Sequence, residues 1–252
     1  MKTKELGRSF FIFDQLASTI VQAKEAISHD EPAGVTILAR RQIAGIGRQR
    51  RAWISPRGGL WLSVVLRPQL PLEDAAKMTL CAAVAAVSAI EQCCGLCLGI
   101  KWPNDLLWQG HKVAGILAET VGEWTQRHTL IMSLGLNVNI PAQDLLEASS
   151  AISLQMILQR PVNINHLAAV FLECLEKDMC VLEEDGFESI RQAWLDRALG
   201  IGEEVVIYRG DQEFRGVMRG IAKDGCLLVS IGQQEVSFAA GEVTLHPQYS
   251  SS

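Results

Sequence analysis

Three features of the 252-residue sequence predict an α+β fold, a mixed, mainly antiparallel sheet with helices, followed by a small β-barrel. Runs of β-branched and aliphatic residues recur between positions 10 and 137, with short polar turns between them. Alanine-rich or amphipathic stretches long enough to be helices interrupt and follow these runs. After Gly200 the texture changes to short strands at tight spacing.

Phe10 to Phe13 reads as a strand, and Ser18-Thr19 offers a hydroxyl N-cap to a helix reaching Ile27. VTILAR (Val35 to Arg40) and LWLSVVL (Leu60 to Leu66) read as buried strands. Asp74 to Glu91 is a helix whose alanines permit close packing. Leu96 to Lys101 and Leu106 to Trp108 are strands, and Gln109-Gly110-His111 makes a tight hairpin turn into Lys112 to Thr120. Thr129 to Asn137 completes the set, and the helices are expected on one face of the resulting sheet. Leu167 to Leu182 and Phe187 to Leu195 are helical. The last five strands are Glu203 to Tyr208, Glu213 to Arg219, Cys226 to Ser230, Glu235 to Phe238 and Val243 to His246. Turns at Gly210-Asp211, Asp224-Gly225 and Gly232 separate them, which places a boundary near Leu199–Gly202 and gives two units, 1–200 and 201–252.

Composition narrows the function. Apolar residues make up 48% and charged residues 20%, the balance of a soluble globular chain. A net charge of −5 argues against a general nucleic-acid binder, so no DNA partner is expected. Met78 to Ile100 is the most apolar long stretch, but Glu91 and Gln92 interrupt it, which fits a buried helix and not a membrane span. The apolar part of the N-terminal segment is too short for a signal peptide. Seven cysteines, three of them in CCGLC, lack a fourth metal ligand nearby and read as reduced thiols of a cytoplasmic protein.

Against that acidic background, AGIGRQRRAW (Ala44 to Trp53) stands out. Six arginines and no acid or lysine lie between Arg40 and Arg57. Like charges at that density repel unless an anion is present, and guanidinium forks suit phosphate or carboxylate. Gly45 and Gly47 allow the backbone to approach a ligand closely. A second constellation is KWPNDLLWQGHKVAGILAE, Lys101 to Glu119. Pro103 ends a strand there, so Asn104 and Asp105 head a turn where an amide and a carboxylate can orient water, Mg²⁺ or a phosphate. Lys112 follows, with open space beside it at Gly115.

Together the two segments resemble the biotin protein ligases. The family pattern GRGRxGRxW, SPxGGLxxS and KWPNDxxxxxxKxxGILxE stands here as GIGRQRRAW, SPRGGLWLS (Ser55 to Ser63) and KWPND…KVAGILAE. The likeness continues through Gly135-Leu136-Asn137 and Ser153-Leu154-Gln155 into the small C-terminal unit. It implies a class II synthetase-like catalytic domain and an SH3-like barrel. It also implies the activity: biotin is activated with Mg·ATP to biotinyl-5′-AMP, and the biotinyl group then passes to a lysine of a biotin carboxyl carrier protein.

By position, the resemblance makes Lys112 and Arg48 catalytic. It assigns Ser18, Thr19, Gln42, Gly45, Gly47, Arg48, Lys112 and Gly115 to biotin. Arg48, Arg51, Trp53, Lys101, Asn104, Asp105 and Asn137 fall to ATP and the adenylate, with Asp105 the candidate Mg²⁺ ligand. A homodimer is allowed. Three positions depart from the pattern: Ile20 replaces an asparagine, Ile46 the first loop arginine and Arg50 the last loop glycine. Because the chain starts directly at the catalytic segment, the monofunctional kind without an N-terminal DNA-binding domain is expected. The alternatives are a lipoate or octanoate ligase of the same fold, or an adenylate-binding regulator without turnover. Retention of Ser18, Thr19 and Gln42 favours a ureido ring over a lipoyl tail, and retention of Lys112 disfavours a sensor.

Overall fold

β1 (Phe10–Phe13), β2 (Thr36–Ala39), β3 (Leu60–Leu66), β4 (Gly99–Lys101), β5 (Asp105–Trp108), β6 (His111–Val121) and β7 (Thr129–Leu136) form one seven-stranded sheet. Their order is β1-β2-β3-β7-β6-β5-β4; β1 and β2 are parallel and every other pair is antiparallel. The computed structural model describes residues 2–71, 74–121, 129–146, 148, 150–239 and 241–245. His246, the predicted end of the last strand, and the remaining tail to 252 lie outside the described residues.

β3 is buried along its whole length, so its near-continuous apolar sequence conceals two different faces. Leu60, Leu62, Val64 and Leu66 join the main core with α2 (Ala75–Cys94) and α4 (Ile164–Glu184). Val65 points the other way, into a cluster with Ala23 and Ala26 of α1 (Thr19–Ser28) and Ile37 and Ile131. The helices therefore lie on both faces and not on one, as the sequence suggested. Ser18 caps α1 as expected, its Oγ accepting the Ile20 N–H at 3.3 Å. One short helix had no periodic signal: α3 (Leu154–Leu158) is started by Ser153, whose Oγ accepts from Met156 N and donates to the Ile140 carbonyl at 2.7 Å.

α5 (Glu188–Leu195) leads to the second sheet. It comprises β8 (Glu204–Arg209), β9 (Gln212–Ile221), β10 (Leu227–Ile231), β11 (Gln234–Phe238) and β12 (Glu242–Leu245), in the order β11-β10-β9-β8-β12. No ladder joins β11 to β12 among the described residues, so the small β unit is an open sheet and not a closed barrel. Its inner residues Val205, Met218, Leu227 and Val243 belong to the same buried cluster as α2 and Trp194 of α5. The two sheets thus share one core. All seven cysteines are free, with Cys93 and Cys94 in the last turn of α2 before the left-handed Gly95 cap. Burial raises the Cys93 thiol to about 11, so it stays protonated and unreactive. α2 is long and apolar enough to cross a membrane but is largely buried inside the protein.

Asp178 is a half-buried carboxyl on α4. Burial on α4 pushes its carboxyl up from 3.8 to about 6, opposed only by Lys177. Between those values the folded state binds more protons than the unfolded state, so this group's contribution to stability falls as pH rises through the window. Asp178→Asn should therefore raise the thermal midpoint at pH 7.5 and lose that advantage by about pH 4. Melting curves across this range test it; an equal shift at both ends would mean that the carboxylate charge is not what costs stability.

Candidate active site

The face of the sheet that α1 only partly covers carries the site. Cross-strand partners point to the same side, and one such row reads Trp61–Gly135–Gly115–Asp105 across β3, β7, β6 and β5. The neighbouring row reads Ser63–Ser133–Leu117. Two glycines side by side on a sheet face leave a trough. It widens into a cleft of about 440 Å³. The Trp53 ring lies over this floor: a Cβ at Gly135 would stand 2.7 Å from its Nε1, and one at Gly115 would stand 3.1 Å from its Cη2. The Trp53 Nε1 is buried with no hydrogen-bond partner among the described residues.

Lys112 reaches this trough because of a fault in the ladder. Asp105 pairs with Gly115 and Leu106 with Ala114, but Leu107 pairs with Lys112, so Val113 is an extra residue. Side chains three apart on a regular strand face opposite ways; the bulge turns Lys112 and Gly115 to the same side. Val113 and Ala114 accordingly both enter the main core. Lys112 Nζ then sits 2.7 Å from Asp105 Oδ1 and 4.9 Å from the Trp53 ring centroid.

The arginine loop is a narrow hairpin. Ile46 bridges Ala52, the Gly47 N–H donates to the Arg51 carbonyl at 2.8 Å, and the Trp53 N–H donates to the Gly45 carbonyl at 2.9 Å. At its tip Gln49 (φ +54°) and Arg50 (φ +57°) are left-handed, which explains why a glycine suits position 50. Arg48 donates to Asn104 Oδ1 and to the Gly241 carbonyl, each at 3.2 Å. Arg51 pairs with Glu242 of β12 at 2.7 Å. Burial lowers the Arg48 guanidinium while Asp105 and Glu242 hold it up, and burial likewise lowers the Lys101 ammonium. Four cations (Arg48, Arg51, Lys101 and Lys112) face two carboxylates (Asp105 and Glu242) in the cleft. That excess of positive charge favours an anionic ligand.

The far end of the cleft is polar and uncharged. Gln42 Oε1 accepts from the Thr19 N–H at 2.7 Å, and Gln42 Nε2 donates to Ser55 Oγ at 2.9 Å. Of the residues that the resemblance assigned to ligands, Thr19, Gln42, Gly47, Arg48, Arg51, Trp53, Lys101, Asn104, Asp105, Lys112, Gly115 and Asn137 line the cleft. Two expected residues do not. Ser18 spends its hydroxyl capping α1, and Gly45 lies behind the wall, where a Cβ would stand 2.3 Å from the Trp53 carbonyl oxygen. Asn104 is structural as well as cleft-lining: its Nδ2 donates to the Ile116 carbonyl at 2.7 Å. Asn137 secures the end of β7 through the Lys112 carbonyl at 3.4 Å. Glu242 and Gly241 went unnoticed in the sequence because nothing local ties a C-terminal strand to the loop. Ser133 and Gly135 were legible only as part of a strand and a short motif.

The donor set does not make a resident metal site. Among the described residues no three His, Cys, Asp or Glu side chains gather, and Asp105 already gives one oxygen to Lys112. A Mg²⁺ ion bound through one carboxylate needs phosphate and water oxygens for the rest of its shell.

The sequence matches the model described as the biotin/lipoate A/B protein ligase family over residues 12–139 and that of the biotin protein ligase C terminal domain over residues 200–245. It is 34% identical over 236 residues to the bifunctional ligase/repressor BirA of Bacillus subtilis, covering 92% of this chain and 73% of that protein. It is 35% identical to the biotin–[acetyl-CoA-carboxylase] ligase of Paracoccus denitrificans, covering 77% of this chain and 82% of the relative. Among solved structures it resembles the biotin protein ligase of Aquifex aeolicus in complex with biotin and ATP, with a TM-score of 0.82 and 25% identity over 95% of this chain and 99% of that one.

Gly135→Ala should lift the Trp53 ring, because a rigid indole cannot yield at a 2.7 Å contact. Acrylamide quenching of tryptophan emission should rise in this variant, and the same substitution in a Trp53→Phe background should change nothing. Unaltered quenching in both would show that the ring does not rest on Gly135 in solution.

Proposed function

The chain belongs to the biotin/lipoate A/B protein ligase family, and from that premise we propose that it activates biotin with ATP and transfers it to a lysine of a biotin carboxyl carrier protein. The observation that carries this reading is the polarity of one cleft. A neutral hydrogen-bonding end at Thr19 and Gln42 and a cationic end at Arg48 and Lys112 face one cleft, and between them the Trp53 ring packs on Gly115 and Gly135. A ureido ring, an aliphatic chain and a carboxylate match that order. A lipoyl tail offers the first end no polar partner.

In the first step a carboxylate oxygen of biotin attacks the α-phosphorus of ATP, forming biotinyl-AMP as the bond to pyrophosphate breaks. In the second, the carrier's amine attacks the acyl carbon and AMP leaves. Arg48 and Lys112 neutralise the two anions that must approach each other, a task that preorganised cations perform best away from water. Asp105 holds the Lys112 ammonium in place through their 2.7 Å pair until the carboxylate arrives. Trp53 covers the trough and excludes water from the anhydride, while the loop's ties to Gly241 and Glu242 make the C-terminal unit part of the lid. Mg²⁺ carried by ATP would supply charge neutralisation on the phosphates, and Asp105 would be the residue to offer it one oxygen. The division into a catalytic unit, 1–200, and a C-terminal unit, 201–252, is supported by the start of the second sheet at Glu204. The free thiols suit a reducing cytoplasm.

ATP–pyrophosphate exchange should depend on biotin and not on lipoate or octanoate; exchange with lipoate alone would overturn the substrate assignment. Lys112→Ala should lower kcat by about 10²–10³-fold, with a much smaller change in biotin affinity, since its charge acts where negative charge develops. Equal losses in both would leave Lys112 a binding residue only.

Arg50→Gly should relieve the left-handed strain at the tip of the loop, and Ile46→Arg should add a charged donor beside the cleft. Chasing labelled biotinyl-AMP with excess biotin should show slower release from Ile46→Arg than from the parent. Unchanged release, with faster release from Arg50→Gly, would give the retaining contact to Arg50 instead.

A further inference from the structure

A single chain of hydroxyls runs beneath the neutral end of the cleft, and its proton order can be deduced. The backbone N–H of Thr19 donates to Gln42 Oε1 at 2.7 Å, so that oxygen is an acceptor. Thr19 Oγ1, 3.1 Å from the same oxygen, must then donate to it. With its one proton spent, Thr19 Oγ1 accepts from Ser63 Oγ at 2.8 Å. Ser63 has then spent its own proton, so the 2.8 Å contact between Ser63 and Ser133 has Ser133 donating. One backbone-anchored choice, the Thr19 N–H on Gln42 Oε1, fixes every hydroxyl in turn, and such chains polarise one another in the same sense.

The consequence lies at the surface of the cleft. Thr19 and Ser133 both line it, and both have given their proton away from it, so each presents only lone pairs to a ligand. Ser133 lies in the row next to the glycine trough, and Ile20, the position where the family pattern has asparagine, also lines the cleft without a polar atom. We propose that Ser133, locked as an acceptor by Ser63, is a specificity-determining residue that receives one ureido N–H of the substrate, taking over the polar contact that Ile20 cannot make. This rests on the biotin assignment above and deepens it. Two fixed acceptors select a ring that carries two N–H donors, and they leave a dithiolane or an alkyl end unpaired against buried lone pairs.

The test is a cycle between protein and ligand. ATP–pyrophosphate exchange is measured with biotin and with each of the two biotins methylated on one ureido nitrogen, for the parent, Ser133→Ala and Ser63→Ala. For biotin, Ser133→Ala should raise KM about 3- to 10-fold at unchanged kcat, the loss of one hydrogen bond to the substrate. Against one of the two methylated isomers, which has already lost that bond, Ser133→Ala should make little further difference. Ser63→Ala frees the Ser133 proton without touching the cleft, and should weaken discrimination between biotin and that isomer. Unfolding midpoints of the variants check that the floor is intact. If Ser133→Ala changes biotin and both isomers equally, or changes none, the proposal is overturned while the biotin assignment stands. A parent enzyme that exchanges with lipoate and not with biotin overturns both.

Discussion

The site depends on one residue of slippage between β5 and β6. A regular ladder would aim Lys112 into the main core beneath the sheet and leave the glycine trough without a cation. The bulge after Leu106 adds Val113 to the core side and turns Lys112 upward beside Gly115. Every later element of the site assumes that turn. Asp105 is placed to hold the ammonium because it opposes Gly115, and Trp53 finds both a flat floor and a cation over its ring. The two-residue Gln109-Gly110 turn, with both residues at positive φ, fixes the register that makes the bulge necessary.

Charge is arranged on the same principle of local exception. The protein as a whole is acidic, yet its cleft holds four cations against two carboxylates. The desolvation of Arg48 and Lys101 is tolerated because each lies near Asp105 and Glu242. Neither acid is enough to neutralise the group, and the imbalance is what leaves the cleft ready for an anion. Lone surface pairs such as Arg57–Asp14, at 2.5 Å, anchor the base of the same loop but contribute little in high dielectric.

Much of this was legible in the sequence, and the failures have physical causes. The strand runs from Phe10 to Leu136 were visible because each is bounded by turn residues, and the arginine loop was visible because its charge opposes that of the chain. The side of the sheet taken by α1 was not visible, since β3 is apolar on both faces and alternation carries no information there. α3 was missed because a five-residue helix has no period to detect; its start depends on the single hydroxyl of Ser153. Ser18 was legible in the sequence as the N-cap of α1, and its Oγ accepts the Ile20 N–H there; its assignment to the ligand came from the family resemblance alone. The open form of the second sheet depends on whether its edge strands meet, which strand spacing does not encode. The meeting of Arg51 with Glu242, nearly two hundred residues apart, left no local trace.

The latch between the loop and β12 has two halves of different heritability. Arg48 is received by a main-chain carbonyl, which any residue at 241 would present, although a φ of +155° keeps glycine there for its own reasons. Arg51 is received by a side chain, Glu242. A chimaera built by grafting the C-terminal unit of a relative onto residues 1–200 would therefore inherit the first contact from the fold and the second only if the donor carries an acid at that position. Modularity in this protein is conditional. The two units can be exchanged as shapes, but the Arg51 ion pair forms only between units that share one carboxylate.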